Sequence, residues 1–213
     1  MAIKDSRREY KFATMKRCSM RDDPIDQFRM WLDAALAADL PDPTAMCLAT
    51  VDKSGRPSQR MVLLKDYGDD GFVFFTNLES RKASEFESNP NVAVCFHWKS
   101  LQRQVRIEGN VSQVSDEEAD EYFNSRARLS RIGAWASMQS QVLESRDYLL
   151  TRLKTFEEKY NGETIPRPTH WSGNRIKAKR IEFWQDGDFR LHDRFVFERQ
   201  SLEDAWTKTR LYP

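Results

Sequence analysis

The chain reads as an α+β protein, mainly β: an antiparallel barrel with helices packed around it. Three features predict this class. Five strand-like runs follow one another across residues 45–114 with short turns between them, a spacing that suits antiparallel meanders and not the long crossovers of parallel sheets. Helical patterns stand before, between and after these runs. With 213 residues the chain is long enough for one well-buried core and a helical annex.

In order, residues 1–23 are polar and basic and are expected to form a mobile arm ahead of a single domain over 24–213. Asp22-Asp23-Pro24 opens a helix whose apolar stripe is Ile25, Phe28, Trp31, Leu32, Ala35 and Leu36. Pro41-Asp42-Pro43 ends it. Strands are expected at residues 45–51, 58–65, 72–76, 92–98 and 104–114, with turns at Asp52–Gly55 and Gly68–Gly71. Residues 80–88, 116–126 and 143–160 have helical patterns, and Pro166 and Pro168 close the last. Strands return over residues 180–213, where Gln185-Asp186-Gly187-Asp188 looks like a hairpin turn between residues 181–184 and 189–199.

Lys and Arg number 34 against 33 Asp and Glu, so no global field draws the chain to nucleic acid or membrane. An anion site must come from local clustering. Cys18, Cys47 and Cys95 are odd in number, widely spaced and form no CxxC, which suits reduced thiols and a cytoplasmic setting. His97, His170 and His192 fit no zinc spacing, so no metal is expected. No apolar run approaches the roughly 18 residues that span a bilayer, and the charged N-terminus lacks a signal core.

Several clusters carry chemistry. If residues 189–199 are a strand, Arg190, His192 and Arg194 share one face, three basic groups without an acid, and a hairpin sets Trp184 beside them. A planar anion accounts for that pattern. Arg81-Lys82 falls in a helix first turn, where the dipole disfavours cations unless a phosphate binds there; the alternative is two solvated charges. Arg60 and Lys65 bracket an apolar strand and point to opposite faces unless the strand bulges or ends. Tyr122, Arg126 and Ser130 recur every fourth residue, one face of a continuous helix and a plausible phosphate clamp. Gln104 and Gln139-Ser140 offer hydrogen-bonding groups for a heterocycle edge.

The segments RMVLLK (60–65), FFTNLESRKA (74–83), RQVRIEG (103–109), YFNSR (122–126), IGAWAS (132–137), IEFWQ (181–185), RLHDR (190–194) and the terminal RLYP resemble, in order and over nearly the whole chain, the pyridoxine/pyridoxamine 5′-phosphate oxidase family. That resemblance implies an FMN-binding split β-barrel, a homodimer with FMN in clefts at the subunit interface. It implies that Arg60, Met61, Val62, Leu63, Leu64, Lys65, Phe75, Thr76, Arg81, Lys82, Gln104, Gln139, Ser140, Trp184 and Arg194 hold FMN. Lys65, Tyr122, Arg126, Ser130, Arg190, Leu191 and His192 would hold the substrate, with Arg7, Arg8, Glu9 and Tyr10 as a lid. Arg190 and His192 would lie over the ring and orient its C4′ substituent. The implied reaction oxidises pyridoxine or pyridoxamine 5′-phosphate to pyridoxal 5′-phosphate, with O2 as acceptor and H2O2 as by-product. The chain departs from the family pattern at Asn124, Ala127, Arg131 and Ser172, where His, Pro, Gln and Gly are usual. Two other readings are a related flavin enzyme of phenazine biosynthesis, which would lack RLHDR and the Tyr122/Arg126/Ser130 group, and a non-catalytic carrier on the same barrel.

Overall fold

The computed structural model describes residue 15 and residues 20–213. The expected arm therefore lies almost wholly outside the described residues, Arg7, Arg8, Glu9, Tyr10 and Cys18 included.

Helix α1 (Pro24–Ala37) begins where the sequence marks it. Asp23 accepts from the amides of Ile25 and Asp26, and Pro24 occupies the first turn. Its stripe is buried at Ile25, Phe28, Trp31, Leu32 and Ala35, but Leu36 is exposed. Strands β1 (Ala45–Val51), β2 (Pro57–Leu63), β3 (Asp66–Gly68), β4 (Gly71–Asn77), β5 (Asn91–Trp98), β6 (Arg103–Gln113), β7 (Trp171–Gln185), β8 (Asp193–Glu198) and β9 (Thr207–Leu211) make one antiparallel sheet. Its order is β2-β1-β5-β6-β7-β4-β3, with β8 and β9 branching from β7, and among the described residues no pairing closes the path into a ring. Four helices complete the elements: α2 (Arg81–Ser88), α3 (Asp116–Ser125), α4 (Arg128–Ala136) and α5 (Arg146–Lys159). None of the described helices is long and apolar enough to cross a membrane.

Strand alternation divides the sheet into two faces. Phe96, Val105, Ile107, Phe183, Phe195 and Phe197 point inward, where α1 lies over them. Phe28 is the hub of that core, with ring centroids of Tyr67, Phe72 and Phe96 at 5.1, 5.0 and 5.2 Å. A smaller core of Phe123, Ile132, Tyr160, Ile165 and Trp171 seats α3, α4 and α5 against the other end of β7. The outer face carries two cross-strand rows, Met61-Cys47-Cys95-Arg106-Glu182 and, two residues along, His97-Gln104-Trp184-Arg194.

β7 is longer than expected and positions both candidate site regions. Residues 171–176 pair with β4, and residues 180–185 pair with β8. Between them the register with β6 slips, leaving Lys179 as the extra residue of a bulge. Gly109 faces this bulge, and a Cβ there would stand 2.1 Å from the Lys177 carbonyl oxygen. The expected hairpin at 185–188 is a longer connection. Phe189 and Arg190 both take positive φ, 57° and 64°, so residues 189–192 are not strand and β8 starts only at Asp193.

Candidate active site

One cleft of about 520 Å³ opens between the sheet and the helical annex. Met61, Val62 and Leu63 reach it from β2, Lys65 from beyond that strand's end, Phe75, Thr76 and Asn77 from β4, and Lys82 from α2. Tyr122, Arg126, Ser130, Gln139 and Trp171 form the opposite wall. Phe75 stacks on Tyr122 with ring centroids 3.9 Å apart, and Trp171 lies parallel to both. These rings give the cleft a flat, apolar side.

Lys82 is almost fully buried. Its Nζ donates to Thr76 Oγ1 (3.0 Å), Ser80 Oγ (3.1 Å) and Gln139 Oε1 (2.8 Å), all neutral acceptors. Burial, then repulsion from Arg60, pushes its pKa down to about 8 against the opposing pull of Glu85. The helix N-terminus beside it has no side-chain cap: Ser80 occupies the N-cap position without bonding an amide. An ammonium short of negative charge and a set of uncapped amides point to one anion.

Because the anion selects the charged form of Lys82, phosphate affinity at this locus is full below about pH 8 and falls as pH rises past it, by at most about tenfold per unit. Titration of the apoprotein with phosphate across pH 7–10 should show that fall. Lys82→Met should bind weakly and without it.

Glu85, one turn further along α2, is the counter-charge of the neighbouring arginines. It is buried and accepts from Ser58 Oγ (2.6 Å), Thr50 Oγ1, Arg60 Nη2 (3.1 Å) and Arg81 Nε (2.8 Å). Burial acts to raise its pKa, but these donors outweigh it and hold the group at about 2. Arg60 also donates to Leu48 O and to the hydroxyls of Thr50 and Ser58. Arg60, Arg81 and Lys82 against Glu85 leave two positive charges, the complement of a phosphate dianion.

Tyr122, Arg126 and Ser130 reach the cleft, though not as one helical face. α3 ends at Ser125, Arg126 and Ala127 are extended, and α4 begins at Arg128. Ser125 Oγ donates to the Tyr122 carbonyl (2.7 Å), a local bond that competes with the helix ladder. Arg126 packs its guanidinium 4.7 Å over Trp171, its Nη1 is buried without a partner, and burial lowers its pKa. Among the described residues no carboxylate lies within 4.0 Å of Lys65, Lys82 or Arg126. Ala127 has φ −54°, a value proline would also adopt, so the loop keeps its shape without the usual Pro. Ser172 does not have positive φ, but its hydroxyl is buried without a protein partner. Nothing in the structure explains Asn124 or Arg131.

The other residues named from the sequence lie elsewhere. Leu64 is buried in the main core, Ser140 stands beside Gln139 with φ 71°, and Arg60 and Arg81 flank Glu85 just outside the cleft. Gln104, Trp184 and Arg194 form one transverse row of the outer face by register. The all-cation face expected there does not form. Arg194 Nε donates to Glu182 (2.9 Å) and its Nη1 to Tyr212 O (3.1 Å), while His192 Nδ1 lies 2.8 Å from Asp186 Oδ1. His192 still tilts against Trp184, ring centroids 4.6 Å apart. Arg190 and Leu191 are exposed on the connection. Buried Glu182 also takes contacts from Arg106 (3.5 Å) and Arg180 (3.0 Å); burial opposes ionisation, and the arginines outweigh it and lower its pKa. None of Gln104, Trp184, Arg190, His192 and Arg194 lines the cleft, and thirteen positions separate Trp171 from Trp184 on β7, up to about 43 Å of extended strand.

Sequence reasoning missed Glu85, Glu182, Asp186, Asn77 and the cleft role of Trp171. Glu85 was within reach, four residues after Arg81 on a helix.

An open antiparallel sheet with a cation-lined, aromatic-walled cleft defines the class of this protein as a split barrel. Residues 32–160 match the family model described as pyridoxamine 5′-phosphate oxidase, and residues 171–213 match a pyridoxine 5′-phosphate oxidase C-terminal dimerisation region. The chain is 54% identical over 191 residues to a pyridoxine/pyridoxamine 5′-phosphate oxidase of Allorhizobium ampelinum, covering 90% of this chain and 93% of that one. It is 52% identical to the enzyme of that name from Thermosynechococcus vestitus, with 99% of each chain covered. Among solved structures, PhzG from Burkholderia lata, crystallised with tetrahydrophenazine-1-carboxylic acid, superposes with a TM-score of 0.86 at 28% identity, covering 92% of this chain and 95% of that one. The chain belongs to the pyridoxamine 5′-phosphate oxidase family.

Proposed function

We infer that this chain oxidises pyridoxine 5′-phosphate or pyridoxamine 5′-phosphate to pyridoxal 5′-phosphate, with FMN as cofactor, O2 as acceptor and H2O2 as by-product. The observation that carries the reading is one cleft with two cationic loci lacking a carboxylate partner, at Lys82 and at Arg126, along a wall of parallel aromatic rings. The reaction brings together two phosphate esters and two flat rings. Identity above 50% to the relatives of that name supports the substrate class. The structural likeness to PhzG is weaker in sequence, and this chain carries both Arg190-Leu191-His192 and the Tyr122/Arg126/Ser130 group. Its unpaired thiols at Cys47 and Cys95 fit a reducing, cytoplasm-like compartment.

The residues present fit FMN. The uncapped start of α2 with Arg81, Lys82 and the Glu85-oriented Arg60 would take its phosphate. Thr76 and Gln139 lie beside that ammonium, and Met61, Val62 and Leu63 form the floor. When bound, FMN supplies a two-electron acceptor that no side chain offers. Lys65, Tyr122, Arg126 and Ser130 would hold the substrate phosphate, which fixes the ring against the cofactor and makes the transfer effectively unimolecular.

Gln104, Trp184, Arg190, His192 and Arg194 reach this cleft only from a second copy of the chain. We therefore place each site between two protomers, in line with the dimerisation region matched at residues 171–213. Arg190 and His192 then orient the C4′ substituent from the partner side. The positive φ of Arg190 costs about 1–2 kcal/mol, a strain that suits a side chain held in readiness for a ligand.

Anaerobic mixing of the FMN-loaded protein with pyridoxamine 5′-phosphate should bleach the flavin; bound FMN without bleaching would refute the oxidase reading. Arg126→Ala should lower kcat/KM by roughly 10- to 150-fold, the loss of one charge-assisted contact of about 1.5–3 kcal/mol. FMN affinity measured by fluorescence quenching should stay within about twofold of wild type.

A further inference from the structure

The first cleft borders a second cavity of about 810 Å³ on the outer face of the sheet, and Met61 lines both. Cys47, Cys95 and His97 also line the second. The two cysteines stand far apart in sequence but are register partners across β1 and β5, and Met61 is the partner of Cys47 on its other side. Directly opposed residues of antiparallel strands have Cα atoms about 4.5 or 5.5 Å apart. Both spacings fall inside the roughly 4.4–6.8 Å that a disulfide spans. Residues so opposed project to the same face, and here both are half-buried. Cys47 Sγ donates to Gln59 Oε1 (3.1 Å), whereas Cys95 Sγ makes only a long contact to Phe96 O (3.7 Å). Burial, and then the nearby Cys47 thiol, raise the Cys95 pKa.

We propose that Cys47 and Cys95 form a dithiol site, oxidised by hydrogen peroxide to an intrachain disulfide between β1 and β5 beside the Met61 edge of the active-site cleft. In the first step Cys47 Sγ, as thiolate, attacks a peroxide oxygen. The O–O bond breaks, hydroxide leaves and takes up a proton as water, and Cys47 becomes a sulfenic acid. Cys95 Sγ then attacks the Cys47 sulfur, and the S–O bond breaks. The departing hydroxide takes the proton lost by the Cys95 thiol as a second water. Two thiols and one peroxide give one disulfide and two waters, so the thiols lose the two electrons that peroxide gains. Cys95 is assigned the second attack because it sits without a short hydrogen-bond partner and burial disfavours its thiolate. Because the outer face is where a second copy is placed, the oxidant must be small, which peroxide is. The dithiol itself stands on register and cavity alone; only peroxide generated during turnover depends on the oxidase reading.

The test uses the FMN-loaded full chain with Cys18→Ser, so that the third thiol does not enter the count. One sample receives hydrogen peroxide, and a second turns over pyridoxamine 5′-phosphate in air with and without catalase. Intact mass, peptide mapping and a non-reducing gel are read after alkylation. The proposal expects loss of two hydrogens, a Cys47–Cys95 linked peptide and a band at monomer size in the peroxide sample. Cys95→Ser should instead leave a sulfenic acid on Cys47 that dimedone traps, while a dimedone adduct on Cys95 in Cys47→Ser at equal yield would overturn the order of attack. Two free thiols after peroxide, or a link between two chains, would overturn the proposal. Linking by added peroxide with none during turnover supports the dithiol and counts against peroxide production at the neighbouring site.

Discussion

Glu85→Ala is expected to destabilise the protein by about 3–5 kcal/mol, read as a shift in the denaturant midpoint. The carboxylate is buried and compensates Arg60 and Arg81 beside an ammonium that has no acid of its own. Removing it leaves Arg60, itself mostly buried, facing Lys82 with nothing between them. Glu85→Gln should cost less, because an amide oxygen still accepts from Ser58 and Thr50. The pH dependence gives an independent check. The folded value of about 2 lies below the ordinary 4.5, so the stabilisation is present above 4.5 and is lost as pH falls through about 2. The wild-type advantage over Glu85→Ala should therefore shrink across that acid window. Inorganic phosphate should restore part of the lost stability in the variant, since it supplies the missing negative charge at the same cations.

The cation clusters carry acids from distant segments, and this marks where the sequence was legible and where it was not. Helix α1 was readable because local chemistry fixes it: Asp23 caps, Pro24 starts, and Phe28, Trp31, Leu32 and Ala35 repeat at helical spacing. The early strands were readable from alternation and turns. The first half of β7 was not, since Asn174, Arg175 and Lys177 look like loop residues. Arg175 is accommodated there by Asp70 and Glu118, which come from distant segments. The alternation of Arg190, His192 and Arg194 suggested a strand, but the left-handed turn at Phe189 and Arg190 sets the first two apart from the third. Glu182 and Asp186 then answer Arg194 and His192. Lys82 was marked by its place in a helix first turn and Arg126 by fourth-residue spacing; both line the cleft, although the continuous helix expected around Arg126 is interrupted there. The pairing of Cys47 with Cys95 was invisible, as no local pattern reports which non-consecutive strands become neighbours.

Phe28→Ala should cost a further class of stability, about 3–5 kcal/mol, the range for deleting a fully enclosed aromatic side chain. Phe28 is fully buried and meets Tyr67, Phe72, Phe96 and Trp98 edge-on or tilted. These partners come from β3, β4 and β5 or their ends, so the ring is what fastens α1 across several strands at once. Collapse into the vacated space would require those strands to move together, which their ladder bonds resist, so the cavity should persist. Urea denaturation should give the lower midpoint with an unchanged m-value if the sheet survives. Phe28→Leu, which fills most of the space, should recover over half of the loss.

β7 carries Trp171 at one end and Trp184 at the other, joined by an unbroken run of backbone. In a twofold assembly with shared sites, each copy of this strand would hand one tryptophan to one reaction chamber and the other to its sibling chamber. Mixing copies disabled at Arg126 with copies disabled at His192 would then leave one intact chamber in every mixed pair, so two dead parents would yield live offspring.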